Sequence, residues 1–470
     1  MFTLKEIQSI EHVAVEHIQA VGSRTIKRVT TDSRNVKPGD LFIALRGERF
    51  DGHEFVEDAF ERGALCAIVE EHAEQKATQY PKIIVRDTTR ALGELARLHR
   101  RKFSLPVIAV TGSSGKTTTK EMMYLILKSK YNVLCTQGNL NNHIGVPQTL
   151  FGLSKKHDLA VIEMGMNHAG EITHLCELAE PTHGVITNVG KAHLEFFSSI
   201  KRIAEAKGEL FDWLGKRDDR RGFVNLDNEL VVSQAKKLKK KTTYSEKTGK
   251  ANVYGELEQV TKQGFPQFVL SADSWKKSVD IQLNVAGVHN VSNALAASAV
   301  GKEFGITPEK IKSGLEQFKP VHGRMEVVTV AGVTIVNDAY NANPESVHSA
   351  LRTIASMDCT GRRIAVLGDM LELGTGAIGE HRKIGAALSK LRCDVLLTFG
   401  PLAKCIDEAS TVNEKIHFSN REELTEYLKT MLLPDDIVLI KGSHGMNMSA
   451  IADSLIAELS PKKKANGAKR

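Results

Sequence analysis

The sequence lacks closely spaced cysteines, long apolar runs and internal repeats, and each absence excludes a class of protein. Six cysteines at positions 66, 135, 176, 359, 393 and 405 form no CxxC pair, which favours reduced thiols over disulfides or a zinc site. Apolar stretches such as 107–110 and 437–440 are far shorter than the roughly 18 residues of a membrane span. Residues 1–12 contain two glutamates and no apolar core, so no secretory signal is predicted.

The positive charge of the chain is concentrated in its last ten residues. The formal net charge is +7, but PKKKANGAKR at 461–470 contributes five of the 63 basic residues and no acidic one. The remaining residues are nearly balanced, with 58 Lys and Arg against 56 Asp and Glu. We therefore predict a solvated, disordered tail and no nucleic-acid-binding face.

Length and the order of predicted elements indicate three α/β domains. At roughly 100–200 residues per domain, 470 residues suffice for two to four. We predict a small domain at 1–103, a central domain at 104–319 with a largely parallel, doubly wound sheet, and a Rossmann-like domain at 320–460. Strands are predicted at 40–45, 65–69, 82–85, 106–110, 159–163, 184–188, 223–225, 333–337, 363–367, 394–399 and 436–441. Helices are predicted at 90–101, 116–130 and 290–304.

The strongest local motif is a glycine-rich loop between a predicted strand and a predicted helix, in VIAVTGSSGKTT at 107–118. In such a loop, backbone N–H groups and the helix N-terminus face phosphate oxygens. Lys116 is predicted to reach the β- and γ-phosphates, and the Thr117 hydroxyl to bind Mg²⁺. The predicted phosphate site comprises Gly112, Ser113, Ser114, Gly115, Lys116, Thr117 and Thr118.

The loop alone is compatible with several classes of protein. Val110 stands where the usual spacing has its first glycine, so the loop has the shortened form G-x-x-G-K-T. Such loops occur in kinases, motors, GTPases and ligases, and the sequence shows neither a guanine-specificity signature nor a tandem helicase pattern. A phosphotransferase acting on a hydroxyl group and a nucleotide-binding regulatory module remain alternatives.

The shortened loop resembles that of the Mur ligases, which use ATP to join amino acids to peptidoglycan precursors. The resemblance extends over the chain apart from its tail. TDSR at 31–34, PGDLFIA at 38–44 and DGH at 51–53 resemble the family's UDP-sugar-binding domain. This implies that Ser33 binds uracil and that Arg34 faces a diphosphate or carboxylate. From the residues alone, a capped turn with a surface arginine is the alternative.

Two further segments resemble the branch of the family that adds D-alanyl-D-alanine to UDP-N-acetylmuramoyl-tripeptide. They are QGNLNNHIGVP at 137–147 and NDAYNANPES at 337–346. The branch that adds the third amino acid is expected to carry a different second segment and an arginine-bearing motif, which we do not find. The resemblance implies substrate contacts by Asn139, Asn142, His143, Asn341, Asn343 and Ser346.

The resemblance also implies a catalytic set, Lys116, His193, Lys207 and Arg324, and two Mg²⁺ ions. Glu163, at the end of a predicted strand, and His193, in TNVGKAHLE, are implied as metal ligands together with Thr117. Lys207 corresponds to a lysine that CO₂ carbamylates in the family. Taken alone, Glu163, His193 and Lys207 would be a solvated carboxylate, a structural histidine and a surface lysine.

Base contacts are implied where the predicted helix 290–304 begins. Asn290 matches the family's adenine-contacting asparagine, with His289 and Asn293 in support. Helix capping by Asn290 is compatible with the same sequence.

The third region supplies the remaining implied nucleotide contacts. Arg324 is implied at the γ-phosphate, Asp338 at the ribose or the water network of Mg²⁺, and Tyr340 beside the nucleotide. Lys441 and His444, in KGSHG, are further candidates for the cleft.

These assignments imply an ATP-dependent, cytoplasmic ligase that forms an acyl phosphate. The tripeptide carboxylate would attack the γ-phosphate, and the amine of D-alanyl-D-alanine would then displace phosphate. The implied partners are these two substrates, with no nucleic acid, no membrane insertion and a monomeric chain. A Mur ligase adding the third amino acid and a folylpolyglutamate-type ligase remain alternatives.

Overall fold

The computed structural model describes residues 1–47, 50–71, 79–192 and 194–460, which fold into three α/β domains, each built on its own sheet. The predicted three-domain α/β class is confirmed. His193 and the basic tail at 461–470 lie outside the described residues, so their predicted roles have no structural counterpart here. The domain boundaries at 103 and 319 stay predictions. None of the described helices has the length and apolar character of a membrane span.

The N-terminal domain has a five-stranded sheet in its described part. Its strands are β1 (Ala14–Glu16), β2 (Arg28–Thr30), β3 (Asp40–Ile43), β4 (Cys66–Glu70) and β5 (Lys82–Val85). Its helices are α1 (Leu4–Ile7), α2 (Val56–Glu61) and α3 (Thr88–Arg100). The strand order is β1-β5-β4-β3-β2, in which β1 is antiparallel to β5 and the other pairs are parallel.

The central domain has the largest sheet. Its strands are β6 (Val107–Thr111), β7 (Val133–Cys135), β8 (Leu159–Glu163), β9 (His183–Ile186), β10 (Arg221–Asn225), β11 (Lys241–Ser245), β12 (Val253–Val260), β13 (Pro266–Ala272) and β14 (Val279–Gln282). Its helices are α4 (Lys116–Leu127), α5 (Gly145–Leu150), α6 (Glu171–Ala179), α7 (Ile200–Gly215), α8 (Glu229–Gln234), α9 (His289–Glu303) and α10 (Pro308–Glu316). The order is β14-β13-β12-β11-β10-β9-β6-β8-β7.

The C-terminal domain has a mainly parallel sheet. Its strands are β15 (Glu326–Val330), β16 (Val333–Asn337), β17 (Arg363–Gly368), β18 (Val395–Phe399), β19 (Glu414–Phe418) and β20 (Ile437–Lys441). Its helices are α11 (Pro344–Ser356), α12 (Ala377–Leu388), α13 (Lys404–Ala409), α14 (Arg421–Met431) and α15 (Ser449–Leu459). The order is β15-β16-β20-β17-β18-β19, with only β15 antiparallel to its neighbour among these pairs.

The predicted strands and helices are confirmed to within three residues at each end. The strands predicted at 82–85, 159–163 and 333–337 match β5, β8 and β16 residue for residue. These strands are almost continuously apolar because helices cover both faces of a parallel sheet, and that pattern is readable in sequence. The strands that we did not predict are β1, β2, β7, β11, β12, β13, β14, β15 and β19.

The central sheet departs from the parallel arrangement at one edge. The pairs β12–β13 and β13–β14 are antiparallel, whereas β7 to β12 run parallel to one another. Residues 256–259 of β12 are exposed, so the strand carries no buried apolar run that a sequence pattern would reveal. Since β6, β8, β9, β10 and β11 are parallel, their carboxyl ends meet at one edge, where ligands of such sheets bind.

Candidate functional site

A cleft of about 1170 Å³ lies at this edge of the central sheet and extends to the C-terminal domain. It is large enough for a nucleotide together with a second substrate. The predicted site residues that line it are Ser113, Ser114, Gly115, Lys116, Thr118, Asn142, His143, Glu163, His289, Asn290, Asn293, Arg324, Asp338, Tyr340, Asn341, Asn343, Ser346 and Lys441. The structure therefore gathers most of the predicted set into one place.

The glycine-rich loop joins β6 directly to α4, as predicted. Gly112 and Gly115 have φ of 151° and 78°, a region that strains residues with a Cβ atom. A Cβ at position 112 would collide with Thr187, and one at position 115 with Asn293. Asn188 also holds the loop, since its backbone and side-chain oxygens accept hydrogen bonds from the N–H groups of Ser113 (3.0 Å) and Ser114 (3.1 Å).

A threonine and a carboxylate meet where β6 and β8 end. The Thr117 hydroxyl donates to Oε2 of Glu163 at 2.9 Å, and Nδ2 of Asn141 donates to Oε1 at 2.8 Å. The Glu163 side chain is 1% exposed. These hard oxygen donors match the preference of Mg²⁺, which proteins commonly hold with one or two carboxylates and substrate phosphates.

Lys116 lies among three other titratable side chains, those of Glu163, Arg324 and Lys207. The Lys116 ammonium donates to the Gly112 carbonyl at 2.8 Å, and its pKa is lowered by burial and by Arg324, against the opposing effect of Glu163. Lys207 is fully buried, and its pKa is lowered well below the usual value by burial and by Lys116. Within the described residues, the Lys207 amine has no hydrogen bond or ion pair. The excess of positive charge calls for an anionic ligand.

Arg324 enters the cleft from the start of the C-terminal domain. Its guanidinium lies 3.8 Å from the ring centroid of Tyr340. Its buried Nε has no hydrogen-bond partner among the described residues. A buried donor without a partner is costly, so this atom is poised for a ligand acceptor.

Asp338 is held by its own domain. Its Oδ2 accepts a hydrogen bond from the buried Lys441 ammonium at 2.6 Å, and its Oδ1 accepts from the Met325 N–H at 3.0 Å. The same ammonium donates to the Asn341 carbonyl at 2.9 Å. His444 does not line the cleft but lies behind Tyr340, with ring centroids 5.3 Å apart.

The C-terminal domain contacts the phosphate loop directly. Asn343 caps the N-terminus of α11 in a reciprocal arrangement with Ser346, and its Nδ2 donates to the Ser114 hydroxyl at 3.2 Å. A second contact joins the Lys191 N–H to Glu345 at 3.0 Å, and a third joins the Lys191 ammonium to Glu380 at 2.9 Å. These contacts bring the two domains together over the loop.

Asn290 is the second residue of α9 and does not cap the helix, because the cap position is Val288. Its Nδ2 donates to the Ala286 carbonyl at 2.8 Å, and its Oδ1 accepts from Nδ2 of Asn293 at 2.9 Å. Both polar ends of the amide are thus engaged inside the protein. The predicted support from Asn293 is present, and the adenine contact stays a prediction.

Some predicted residues lie off the cleft. Gly112, Thr117 and Lys207 are buried and do not line the cleft, and Ser33, Arg34 and Asn139 are not among its lining residues either. The Arg34 side chain is 85% exposed and pairs with Asp32 at 2.9 Å. In this arrangement Arg34 is a surface residue of the N-terminal domain, and Asp87, Thr89 and Arg90 reach the cleft from that domain instead.

Comparison with known protein families supports the resemblance to the Mur ligases. Three family models match the chain: "Mur ligase family, catalytic domain" at 25–100, "Mur ligase middle domain" at 110–301, and "Mur ligase, glutamate ligase domain" at 323–444. The UDP-N-acetylmuramoyl-tripeptide–D-alanyl-D-alanine ligase of Bacillus subtilis is 38% identical over 92% of this chain and 93% of its own length. The chain belongs to the Mur ligase family.

Solved structures place this Mur ligase among three-domain relatives. A crystal structure of MurF from Acinetobacter baumannii has a TM-score of 0.83 and 32% identity, covering 95% of this chain and all of that one. The MurF ligase of Thermotoga maritima, solved in complex with ADP, has a TM-score of 0.82 and 30% identity, covering 92% and 98%.

Sequence reasoning missed several side chains that shape the site of this Mur ligase. Asn141, which holds Glu163, lies inside the segment 137–147 that we had singled out and was detectable there. The buried Lys120 donates to the Thr136 carbonyl at 2.6 Å, and the Thr136 hydroxyl accepts from the Glu163 N–H at 3.0 Å. Lys120 follows Lys116 by one helical turn, but nothing in the sequence indicates its burial.

Proposed function

We propose that this chain is an ATP-dependent ligase that adds D-alanyl-D-alanine to UDP-N-acetylmuramoyl-tripeptide. The observation that carries the proposal is the cluster at the phosphate loop in which Lys116 lies among Glu163, Arg324 and Lys207. Such a cluster suits a transferring phosphoryl group and its divalent metal. The 38% identity to the Bacillus subtilis ligase over 92% of the chain supports the choice of substrates.

ATP binds with its phosphates on the loop 112–118, where the N-terminus of α4 and Lys116 face the negative charge. The MurF of Thermotoga maritima, solved with ADP, supports this placement. Thr117 and Glu163 are the residues that would hold Mg²⁺, whose charge would offset that of the phosphates. His193 remains the predicted ligand of a second Mg²⁺.

In the first step, an oxygen of the tripeptide's terminal carboxylate attacks the γ-phosphorus. The new carbon-bound oxygen–phosphorus bond forms as the bond to the β-phosphate oxygen breaks, giving an acyl phosphate and ADP. Lys116 and the unpartnered Nε of Arg324 stabilise the charge that develops on the phosphoryl oxygens.

In the second step, the free amine of D-alanyl-D-alanine attacks the acyl carbon. The tetrahedral intermediate collapses to an amide, phosphate leaves, and the amine gives up one proton. Asn341, Asn343 and Ser346 line the cleft and are the candidates for contacts to the dipeptide, and Asn142 and His143, which also line it, are the candidates for contacts to the UDP substrate. Water hydrolyses an acyl phosphate, so the Asn343–Ser114 contact that draws the domains together protects the intermediate.

Lys207 acts as a carbamate. Only a neutral amine combines with CO₂, and the burial that lowers the pKa of Lys207 favours that form. Carbamylation forms an N–C bond and releases a proton, so a buried neutral amine becomes an anion beside Lys116. The charge cluster is then balanced in the absence of substrate.

The N-terminal domain holds the UDP moiety, with Ser33 and Arg34 as the candidates from the family resemblance. The enzyme works in the cytoplasm as a monomer, without nucleic-acid or membrane partners. The near balance of charge outside 461–470 is the observation behind the proposal that nucleic acid is not a partner.

The test is phosphate release from ATP and Mg²⁺ with UDP-N-acetylmuramoyl-tripeptide, in the presence and absence of D-alanyl-D-alanine. We expect release that depends on the dipeptide and a product heavier by one dipeptide less water. Release that requires the UDP-dipeptide and a free diamino acid would assign the chain to the neighbouring branch. No release with either pair would contradict the proposal.

A further inference from the structure

Lys120 is a buried lysine that the proposed reaction does not use. It lies on α4, about one turn after Lys116, and its side chain is 0% exposed. Its ammonium donates to the Thr136 carbonyl at 2.6 Å and pairs with the Glu121 carboxylate at 2.7 Å. Burial of a cation is unfavourable, and an apolar side chain of similar length would fill the same space without that penalty. Packing alone therefore does not account for a lysine here.

The residue that accepts this hydrogen bond also holds Glu163. Thr136 follows β7 directly, and its N–H continues the pairing of β7 with β8 by donating to the Val161 carbonyl at 3.0 Å. Its buried hydroxyl accepts a hydrogen bond from the Glu163 N–H at 3.0 Å. Lys120, Thr136 and Glu163 thus form a continuous chain of contacts that joins α4 to the end of β8.

Helix α4 therefore reaches Glu163 by two routes. Thr117 donates directly to the carboxylate at 2.9 Å, whereas Lys120 reaches the backbone N–H through Thr136. The first route fixes one carboxylate oxygen relative to the loop 112–118. The second fixes the backbone from which the side chain projects. The carboxylate is consequently held at both ends of its side chain by a single helix.

The segment 136–141 is anchored to the end of β8 at both of its own ends. Thr136 holds the Glu163 N–H at one end, and at the other Nδ2 of Asn141 donates to Oε1 of Glu163 at 2.8 Å. The Asn141 carbonyl also accepts from the Gly165 N–H at 2.8 Å. Because Lys120 holds the first residue of this segment, it supports both the backbone of Glu163 and the amide that orients its carboxylate.

We propose that Lys120 is a positioning residue for the divalent metal of the reaction. By holding the Thr136 carbonyl, Lys120 sets the backbone at Glu163, and with it the direction in which the carboxylate presents its oxygens to Mg²⁺. The inference rests on the proposed function, since it requires Mg²⁺ at Thr117 and Glu163. Lys120 itself does not line the cleft, so it acts through these neighbours.

The chemistry of Mg²⁺ makes such support important. Mg²⁺ demands near-ideal octahedral geometry with oxygen ligands at about 2.0–2.1 Å, so a small rotation of a carboxylate weakens its binding. Substitution of groups that orient a metal ligand typically lowers metal affinity by about 10- to 100-fold. Since Lys120 acts by position, its effect must pass through Thr136.

The test measures how ADP binding to the full chain depends on Mg²⁺, by calorimetry over a series of Mg²⁺ concentrations and in EDTA. Lys120→Met keeps the length of the side chain but removes the donor, and Lys120→Gln is one atom shorter. Thr136→Val removes the hydroxyl that accepts from Glu163, whereas Thr136→Ser keeps it. Lys128→Met is the control, because Lys128 is exposed at the end of the same helix.

We expect both Lys120 variants and Thr136→Val to raise the Mg²⁺ concentration that gives half of the Mg²⁺-dependent gain in ADP affinity by about tenfold. Thr136→Ser and the control should titrate as wild type, and ADP affinity in EDTA should be the same in every protein. The double variant Lys120→Met with Thr136→Val should be no weaker than either single variant, because both interrupt one chain of contacts. A role in packing alone would lower the melting temperature without moving the Mg²⁺ midpoint.

A wild-type midpoint in the Lys120 variants would overturn the inference, and so would additive effects in the double variant. Loss of folding in both Lys120 variants would assign this lysine to the stability of the fold and contradict a positioning role. ADP binding by wild type that does not respond to Mg²⁺ would instead remove the metal site of the proposed function. The ligase activity is tested separately, by phosphate release that depends on the dipeptide.

Discussion

The two ends of the cleft differ in how the chain builds them. The phosphate end comes from one contiguous segment, 107–118, whose glycines, lysine and threonine are adjacent in sequence and in space. The base end comes from residues after β10 and β11 and from α9, which only the strand order brings together. The phosphate end is thus a local motif, whereas the end where Asn290 is predicted to contact the base is a product of the fold.

The largest effect that would test this contrast lies at the phosphate end. Replacing Lys116 by alanine should lower kcat/KM for ligation by about 100- to 1000-fold, because a preorganised charge at the transferring phosphoryl group is lost. Steady-state phosphate release measures this. Lys128→Ala, an exposed lysine at the end of the same helix, is the matched control and should behave as wild type. A Lys116→Ala enzyme with near-normal turnover would refute the assignment.

The second-largest loss of activity is expected for a substitution of Lys207. Lys207→Arg keeps a cation but cannot form the carbamate, and we expect about 100-fold lower activity. Carbon-13 NMR with labelled bicarbonate should show a carbamate signal in wild type that the variant lacks. Wild type without that signal, or a fully active variant, would argue against carbamylation.

Glu163, the carboxylate beside the phosphate loop, should determine the affinity of the enzyme for Mg²⁺. Glu163→Gln should raise the Mg²⁺ concentration for half-maximal activity by about 10- to 100-fold, because the amide is a weaker ligand for a hard cation. A Mg²⁺ titration of ligation measures this, with Glu258→Gln, at an exposed position of β12 in the same sheet, as control. An unchanged midpoint would place the metal elsewhere.

At the base end, the effect on stability depends on pH. The folded pKa of Glu246 is about 7, above its usual value near 4.5, so the folded state holds a proton that the unfolded state releases. The folded state therefore pays a free-energy cost for ionising this carboxyl, which is absent below about pH 4.5 and grows as the pH rises to 7. Glu246→Gln removes it, so the variant should gain a few degrees of melting temperature relative to wild type between pH 5 and pH 8. A pH-independent difference would contradict this.

The smallest effect is expected away from both ends. Arg34→Ala removes an exposed ion pair with Asp32, so the melting temperature should change by less than about one degree. The KM for ATP should stay the same. A severalfold rise in the KM for the UDP substrate alone would support the family-derived role of Arg34, and a change in ATP binding would contradict its surface position.

The sequence predicted the phosphate end because its physics is local. A buried strand, two glycines at positive φ and a helix start are readable from neighbouring residues. Glu163 and Lys207 required the family resemblance, because a carboxylate at a strand end and a lysine on a helix carry no mark of burial. The whole three-domain α/β class was predictable from apolar strands alternating with helices.

The base end was beyond sequence reasoning because it depends on strand order. Glu246 and Asp227 follow strands whose adjacency no local pattern specifies, and β11 itself was not predicted. Asn290 is the opposite case, because the sequence singled it out but did not reveal its hydrogen bonds. It lies in the first turn of α9 and lines the cleft, but its amide is engaged within the protein by Ala286 and Asn293, and its adenine contact stays a prediction. A residue's place in a motif does not reveal which of its hydrogen bonds remain free.

The most direct test of the account is a crystal structure of the protein with ADP and Mg²⁺. We predict the β-phosphate on the loop 112–118 beside Lys116, the metal at Thr117 and Glu163, and the adenine beside Asn290 at the other end of the cleft. An adenine that lies away from Asn290 and β11 would contradict the contrast drawn between the two ends of the cleft.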